Sequence, residues 1–425
     1  MGRSPDPVEH IVRRHGRAWL DVLPRFGDSP DAAAVRSVLI RIAFASTYPP
    51  RRCGIASYTS DLGRASGNRE IVALTPPEHE TPYPTEVHHR IRRDILEDYG
   101  RVARALDGCR VDAVSIQHDF SIWGGPDGEF VLDFVRALNL PAVATLHAIS
   151  RRPTANQRRI VSELVGSTAA TVVMSQAAAG LLGRAYGIDP GRVEVIPHGV
   201  PDLPLIDPSQ AKPGLSLGEA PFLLSFGLLG PGKGYELAIA AMPAVVAAVP
   251  TARYVILGST HPDVLRREGE SYRRSLQDQV RALGLGNQVE FVDRFVGRTE
   301  IGRWLQAADV VVTPYPNLEQ SVSGTLSHAM GAGKAIVSTP FSYATELLAG
   351  GRGVLAKPDP TALSAAFIAL LGDPARRAAI GARAHAYSRQ MLWPGVGQRY
   401  LQLFKRVTET RPLPTRRSVL ESANA

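Results

Sequence analysis

The sequence predicts an α/β protein with two doubly wound domains facing a shared cleft. Two observations carry this prediction. Short β-branched strands alternate with helices along most of the chain, and a Pro-, Gly- and Ser-rich stretch at 199–221 divides the alternation into similar halves. A chain of 425 residues is also longer than one compact core accommodates. Open α/β sheets bind ligands at the carboxyl ends of their strands, so we expect the site between the domains.

Residues 1–36 are predicted to be a separate amino-terminal extension. The segment "PVEHIVRRHGRAWLDVLPRF" places apolar residues at helical spacing with arginines between them, and Gly16 and Pro24 limit it to one short helix. Packing on the chain's own domain is favoured over membrane contact. No apolar run has the length of a membrane span and the start does not resemble a signal peptide, so a cytoplasmic protein is expected.

The first domain is predicted to span residues 37–205. It opens with the buried strand "SVLIRIAFAS", a Gly/Pro-rich turn and the helical "IASYTSDLGRA". The strands "EIVALTP", "DAVSIQH", "PAVATLH", "ATVVMS" and "VEVIPHG" follow, separated by helical stretches such as "QRRIVSELVG". This alternation is typical of a parallel sheet covered on both faces.

The second domain is predicted to span residues 206–392. Its strands are "FLLSFGLL", "RYVILGS", "VEFVDRF", "DVVVTPY" and "KAIVSTP", again with helices between them. A terminal helix around "GVGQRYLQLFKRV" occupies the predicted segment 393–410, and residues 411–425 form a polar, flexible tail.

One candidate anion site opens the second domain. In "SFGLLGPGKGYELAI" a strand, a Gly-rich turn and a helix follow one another, an order that directs free backbone N–H groups at an anion. Gly230 and Gly232 allow close approach, and Lys233 adds a mobile positive charge. The spacing matches neither the Walker pattern nor the dinucleotide fingerprint, and a purely structural turn remains an alternative.

A second candidate anion site lies at the start of a later helix. In "SVSGTLSHAMGAG" the N–H groups near Ser323, Gly324 and Thr325 should point out of the helix, and the hydroxyl groups add donors. If the sheet is wound as usual, Lys233 and this helix start lie on neighbouring strand ends. The sequence therefore predicts a diphosphate clamp.

Arginine supplies most of the net charge of +8 and gathers on the first domain. The clusters are Arg51 and Arg52; Arg90, Arg92 and Arg93; and Arg151, Arg152, Arg158 and Arg159. The first and third follow strand carboxyl ends, which favours an acceptor with phosphate or carboxylate groups, or a peripheral contact with anionic lipid. A solvated basic surface is the alternative, and no aromatic–basic motif indicates nucleic acid.

Four motifs in order make this chain resemble the retaining glycosyltransferases of family four, the glycosyl transferases group 1. They are "STYPPRRCGIASYTSDL", "VIPHGV", "FGLLGPGKG" and "GTLSHAMGAGKAIVSTP", and the resemblance covers roughly residues 38–405. It implies the GT-B fold, a GDP- or UDP-linked sugar donor, a glycan or lipid-linked hydroxyl acceptor, and a terminal helix that crosses back after Trp393 and Pro394. With two cysteines and no metal-ligand spacing, no metal or other cofactor is predicted.

The resemblance also assigns roles to residues. It implies phosphate binding by Lys233, base binding by Arg294 and Phe295, a donor-loop role for Gly54, and contact of His118 with the transferred sugar. His118, Lys233 and Gln320 are the predicted catalytic residues. The predicted donor site comprises Gly54, Gly230, Gly232, Lys233, Arg294, Phe295, Glu319, Gln320, Ser323, Gly324, Thr325 and His328. The predicted acceptor site comprises Arg51, Arg52, His147, Arg151 and Arg152.

Three positions depart from the family pattern. Leu228 stands where an arginine is usual, and Gln320 and His328 occupy the places of two glutamates eight residues apart. Because these residues mainly supply binding, an altered but active donor site is favoured over an inactive one. A retaining phosphorylase that uses inorganic phosphate, and a weakened glycan-binding or scaffold protein of the same fold, remain alternatives.

Overall fold

The computed structural model describes residues 40–77, 82–215 and 218–409. The predicted amino-terminal helix and the predicted tail at 411–425 lie outside these ranges. Within them, none of the helices combines the length and the apolar character that crossing a membrane requires.

The first domain contains a seven-stranded, wholly parallel sheet with the order β3-β2-β1-β4-β5-β6-β7. The strands are β1 (Ile42–Ser46), β2 (Glu70–Thr75), β3 (Val87–Arg92), β4 (Ala113–His118), β5 (Ala142–Leu146), β6 (Ala170–Val173) and β7 (Val193–Val195). The helices are α1 (Gly54–Ala65), α2 (Leu96–Asp107), α3 (Val131–Arg136), α4 (Ala155–Ser167) and α5 (Gln176–Tyr186). The order reverses beside β1, which creates the crevice where such sheets bind ligands.

The second domain contains a six-stranded parallel sheet with the order β10-β9-β8-β11-β12-β13. The strands are β8 (Phe222–Phe226), β9 (Arg253–Leu257), β10 (Val289–Val292), β11 (Val310–Thr313), β12 (Ala335–Ser338) and β13 (Val354–Leu355). The helices are α6 (Pro208–Ala211), α7 (Tyr235–Ala248), α8 (Pro262–Glu268), α9 (Ser271–Ala282), α10 (Arg298–Ala307), α11 (Gly324–Gly331), α12 (Ser342–Leu347), α13 (Pro360–Leu371), α14 (Pro374–Ser388) and α15 (Trp393–Glu409). The predicted two-domain α/β fold is confirmed.

Two strands were not foreseen from the sequence. β3 alternates exposed His and Arg side chains with the more buried Val87, His89 and Ile91, as an edge strand does, and only its arginines were noted from the sequence. β13 contains two residues and carries too little pattern to detect. The predicted linker also contains the short helix α6, and buried Lys212 attaches it to the second domain through a 2.9 Å ion pair with Asp309.

The chain crosses between the domains twice, and the two crossings pair with each other. The N–H of Val200 donates to Met391 O at 2.8 Å, and the N–H of Trp393 donates to Val200 O at 3.2 Å. The indole ring of Trp393 lies directly against the backbone of Gly199, where an added Cβ would come within 2.2 Å of a ring atom. The hinge therefore requires glycine at this position.

Helix α15 returns to the first domain and packs on α1. The hydroxyl of Tyr400 lies 3.1 Å from the hydroxyl of Tyr58 and 3.0 Å from Oγ1 of Thr145. Phe404 joins an apolar cluster that also contains Phe44 of the first sheet and Leu224 of the second. The terminal helix thus crosses back, and one apolar cluster spans both domains.

Gly199→Ala is expected to destabilise the protein. The new methyl group would overlap Trp393, and such overpacking typically costs about 1–3 kcal/mol. Thermal unfolding should show a midpoint lower by several degrees. Gly286→Ala is the matched control, because its Cβ would meet nothing within 4 Å. Equal unfolding midpoints for Gly199→Ala and Gly286→Ala would show that a methyl group at residue 199 does not overlap Trp393.

Candidate functional site

A cavity of about 990 Å³ lies between the carboxyl ends of the two sheets. The loops after β1, β4 and β5 line one side, and the loops after β8, β9, β10 and β11 line the other. Of the residues predicted from sequence, the cavity brings together Gly54, His147, Lys233, Phe295, Glu319, Gln320, Ser323, Gly324, Thr325 and His328.

The first turn of α11 is open to this cavity. Oγ of Ser323 accepts the N–H of Leu326 at 3.2 Å, which starts the helix. No hydrogen bond described for residues 218–409 uses the N–H groups of Gly324 and Thr325. The hydroxyl of Thr325 instead donates to Phe226 O at 3.4 Å. The exposed N–H groups and the helix dipole suit an anion.

Lys233 faces the same part of the cavity. Its Nζ lies 4.7 Å from the centroid of the Tyr315 ring, and no carboxylate in the described part of the chain pairs with it. The turn reaches this shape because Gly234 has a φ of +72° and lies so close to Pro314 that a Cβ would come within 1.9 Å of its carbonyl oxygen. Gly230 and Gly232 shape the turn without lining the cavity.

The three positions that depart from the family pattern, Leu228, Gln320 and His328, all line the cavity. The side-chain amide of Gln320 donates to Val322 O at 2.8 Å, which fixes its orientation. Burial lowers the pKa of His328 to about 3, so its imidazole is neutral at pH 7. Leu228 also lines the cavity and adds no charge. A ligand therefore meets neutral groups where carboxylates and an arginine were expected from the family pattern.

Two more neutral histidines line the floor of the cavity. Burial lowers the pKa of His147 to about 3 and that of His198 to about 4. Nδ1 of His198 lies 2.7 Å from Gly199 O, so this nitrogen carries the hydrogen. The rings of His147 and His198 contact Tyr58 edge-on at centroid distances of 4.9 and 5.1 Å. Among the described residues, no group of three or more His, Cys, Asp or Glu side chains could hold a metal.

Polar contacts across the cavity hold the domains together. Asp61 of α1 pairs with Arg298 at the start of α10. The N–H of Ile149 donates to Oγ of Ser321 at 3.3 Å. The carboxylate of Glu346 accepts the first two N–H groups of α5, with distances of 3.0 and 2.7 Å. Because these contacts join the two domains across the cavity, the cleft is closed in this structure.

His118 does not line the cavity, contrary to the predicted contact with a sugar. Its ring is fully buried and packs edge-on against Phe120, a cavity-lining residue, at a centroid distance of 5.2 Å. Within the described part of the chain, neither ring nitrogen has a hydrogen-bond partner. The sequence places His118 correctly at the end of β4 but does not reveal that its ring is buried against Phe120.

The predicted arginines are also outside the main cavity. Arg151 donates to Ser342 at 3.0 Å, and Arg294 pairs with Glu300. Arg52 lies over the ring of Phe295, 5.8 Å from its centroid, at a smaller neighbouring cavity of about 570 Å³. Arg51 and Arg152 do not line the main cavity either. None of the four arginines predicted to bind the acceptor, Arg51, Arg52, Arg151 and Arg152, is among the residues that line the main cavity. Arg294, which the resemblance assigned to the nucleotide base, does not line it either.

Among the described residues that line the cavity, four charged ones were not predicted as site residues: Asp61, Arg64, Asp119 and Arg298. Asp61 belongs to an ordinary amphipathic helix, so nothing in its local pattern marks it. Asp119 directly follows β4, and its position after a strand end was the available signal.

Comparison with known proteins gives the same family for both domains. Residues 54–202 match the model of "Glycosyltransferase Family 4", and residues 220–373 match that of "Glycosyl transferases group 1". A D-inositol 3-phosphate glycosyltransferase from Xylanimonas cellulosilytica is 29% identical over 64% of this chain and 68% of its own. Another, from Kineococcus radiotolerans, is 31% identical over 53% of this chain and 54% of its own. The solved sucrose-phosphate synthase from Thermosynechococcus elongatus shares the fold, with a TM-score of 0.70, 17% identity and coverage of 88% and 100%.

Glu346→Ala is expected to open the cleft. The variant removes the carboxylate that caps α5 from the other domain, a contact of about 0.5–2 kcal/mol. Single-molecule energy transfer between labels on the two domains should show a larger open fraction. Glu268→Ala, an exposed carboxylate on α8, is the control. An unchanged distribution in Glu346→Ala would contradict the contact's role in closure.

The neutral histidines predict that stability falls with acid. Their folded-state pKa values of about 3 to 4 lie below the ordinary value of 6.5, so the unfolded chain binds more protons between these limits. The free energy of unfolding should decrease as pH falls from about 6.5, by up to about 1.4 kcal/mol per pH unit for each proton. His328→Gln should flatten this slope in denaturant titrations, while His88→Gln, which removes an exposed histidine, should not. Equal slopes would refute the assignment.

Proposed function

The chain belongs to the glycosyltransferases of group 1 and family 4, and on that premise we propose that it moves a hexose from a nucleoside diphosphate sugar to an acceptor hydroxyl with retained configuration. The observation that carries the proposal is the pairing of two anion-binding features on one side of the cleft. Lys233 without a carboxylate partner and the open first turn of α11 both face the same cavity. A diphosphate has the charge and the oxygen spacing to engage both.

The same two features supply the main catalytic effect. As the sugar leaves, negative charge grows on the diphosphate, and the N–H groups of Gly324 and Thr325 together with Lys233 stabilise it. The contacts that close the cleft exclude water, which would limit hydrolysis of the donor. The acceptor hydroxyl attacks on the face from which the diphosphate departs, and its proton passes to a departing phosphate oxygen. Retention follows from this same-face geometry.

The nucleoside is proposed to lie along the loop after β10, beside Phe295 and the start of α10. Neutral His328 and the ion pair of Arg298 with Asp61 flank this region. His328 can accept a ribose hydroxyl, although more weakly than a carboxylate. A GDP- or UDP-linked donor is proposed, with no essential metal.

Lys233→Ala is expected to weaken nucleoside diphosphate binding by roughly 10- to 100-fold, because a charge-assisted contact contributes about 1.5–3 kcal/mol. Calorimetric titration with UDP, GDP, ADP and inorganic phosphate measures the effect and identifies the base. Lys405→Ala is the control, since Lys405 is an exposed residue of α15 that does not line the cavity. Nuclear magnetic resonance of the product's anomeric proton tests retention.

Binding of inorganic phosphate without any nucleoside diphosphate would favour a phosphorylase. Absence of binding by every ligand, with no release of nucleoside diphosphate from UDP- or GDP-hexoses, would overturn the proposed function.

A further inference from the structure

We propose that the acceptor of this enzyme is an uncharged polyol or sugar and that the first domain recognises its hydroxyl groups with hydrogen-bond acceptors, in particular Asp119 and His147. The inference rests on the proposed function, because it takes the second domain as the donor side. It differs from the phosphorylated acceptor that the names of the inositol 3-phosphate relatives specify.

Asp119 places a carboxylate in the cavity on the first-domain side. One oxygen, Oδ1, accepts the N–H of Ser121 at 2.9 Å and its hydroxyl at 2.6 Å, which fixes the orientation of the group. No partner for Oδ2 is described between residues 82 and 215. A fixed carboxylate with one oxygen outside any described hydrogen bond can accept hydrogen bonds from hydroxyl groups, and its negative charge repels a phosphate.

His147 adds a second acceptor, and Gln117 determines which nitrogen it offers. Nε2 of His147 lies 2.8 Å from Oε1 of Gln117, while the amide nitrogen of Gln117 donates to Oγ of Ser115 at 2.9 Å. Oε1 can only accept, so the imidazole hydrogen is on Nε2 and Nδ1 is left as an acceptor. Gln117 is fully buried and acts as a positioning residue.

The ring of His147 stays neutral because of its surroundings. It packs against Tyr58 at 4.9 Å, and the nearby His198 and His118 both disfavour its protonation. Burial is the largest cause of its low pKa. At pH 7 His147 therefore supplies an uncharged acceptor and no positive charge for an anion.

Few cations line the cavity, and two of them are unsuited to bind an acceptor phosphate. Lys233 lies on the donor side, and Arg298 is paired with Asp61. Arg64 remains on α1 as the one exposed cation of the first domain that the described residues bring to the cavity. An acceptor phosphate would have to bind Arg64 while avoiding Asp119, which makes Arg64 the competing site in the test.

The test uses full-length enzyme loaded with the nucleoside diphosphate that binds it. Matched pairs of myo-inositol with inositol 3-phosphate, and glucose with glucose 6-phosphate, are titrated by calorimetry. The uncharged member of at least one pair should bind about 10-fold or more tightly than its phosphate, the scale of one unfavourable charge contact. Asp119→Asn should reduce this ratio to within about 3-fold, and Asp278→Asn, on the exposed face of α9, should not.

Gln117→Glu tests the positioning role. A carboxylate at this place raises the pKa of His147 and favours a proton on Nδ1 at lower pH. Binding of the uncharged ligand should then weaken as pH falls from 8 to 6, whereas the wild type stays constant because its His147 pKa is about 3. A pH-independent affinity in Gln117→Glu would refute the role of Nδ1.

The inference is overturned if the phosphorylated member of the pairs binds more tightly; loss of that preference in Arg64→Ala would then assign the phosphate contact to Arg64. Equal affinity for both members of every pair, or no binding of either, also overturns it. These outcomes are separate from a failure of the proposed function, which would appear as lack of nucleoside diphosphate binding. Acceptor titrations of the unloaded enzyme still decide the charge preference in that case.

Discussion

The structure depends on the pairing of its two interdomain crossings. Val200 in the first crossing exchanges backbone hydrogen bonds with Met391 and Trp393 in the second, so neither segment can move alone. Gly199 leaves room for the indole of Trp393, and α15 then returns to pack on the first domain through Tyr400. Because the two paired segments are the crossings that join the domains, their geometry decides which loops face each other across the cleft. The donor side, the acceptor side and the contacts that close them all follow from that arrangement.

Burial determines the chemistry of the cleft more than residue type does. Of the four histidines that the described residues bring to the cavity, His147, His198 and His328 are desolvated and stay neutral at pH 7, so they serve as hydrogen-bonding groups and not as cations. Positive charge is confined to a few positions, of which Lys233 beside the open turn of α11 is the one suited to a diphosphate. With Gln320 and His328 where the family pattern has carboxylates, the cleft still separates the cation of Lys233 on one side from the carboxylate of Asp119 on the other. The separation comes from where the charges lie.

Much of the fold and part of the site were predictable from sequence, for identifiable reasons. Alternating buried strands and helices gave two parallel sheets, because the periodicity of buried residues is a local property. The edge strand β3 was not predicted, because its many polar side chains obscure the alternation of buried and exposed residues that marks a strand. Lys233 and Ser323–Thr325 were found because a strand, a turn and a helix start stand next to one another in the chain. The predicted arginines do not line the main cavity, because a strand end fixes the direction of the backbone but not the position that a long side chain takes.

The sequence by itself determined the two-domain architecture, the family and the candidate anion-binding turns, because each is encoded by short contiguous stretches. Only the tertiary structure decided which side chains from other parts of the chain contact those stretches. His118 packs edge-on against Phe120, Gln117 fixes the tautomer of His147, and Asp61 crosses the cleft to Arg298. Each of these relations joins a side chain to groups from other elements or to a neighbour folded over it. No local pattern encodes them, because they depend on distances set by the hinge and on the desolvation that closing the two domains produces.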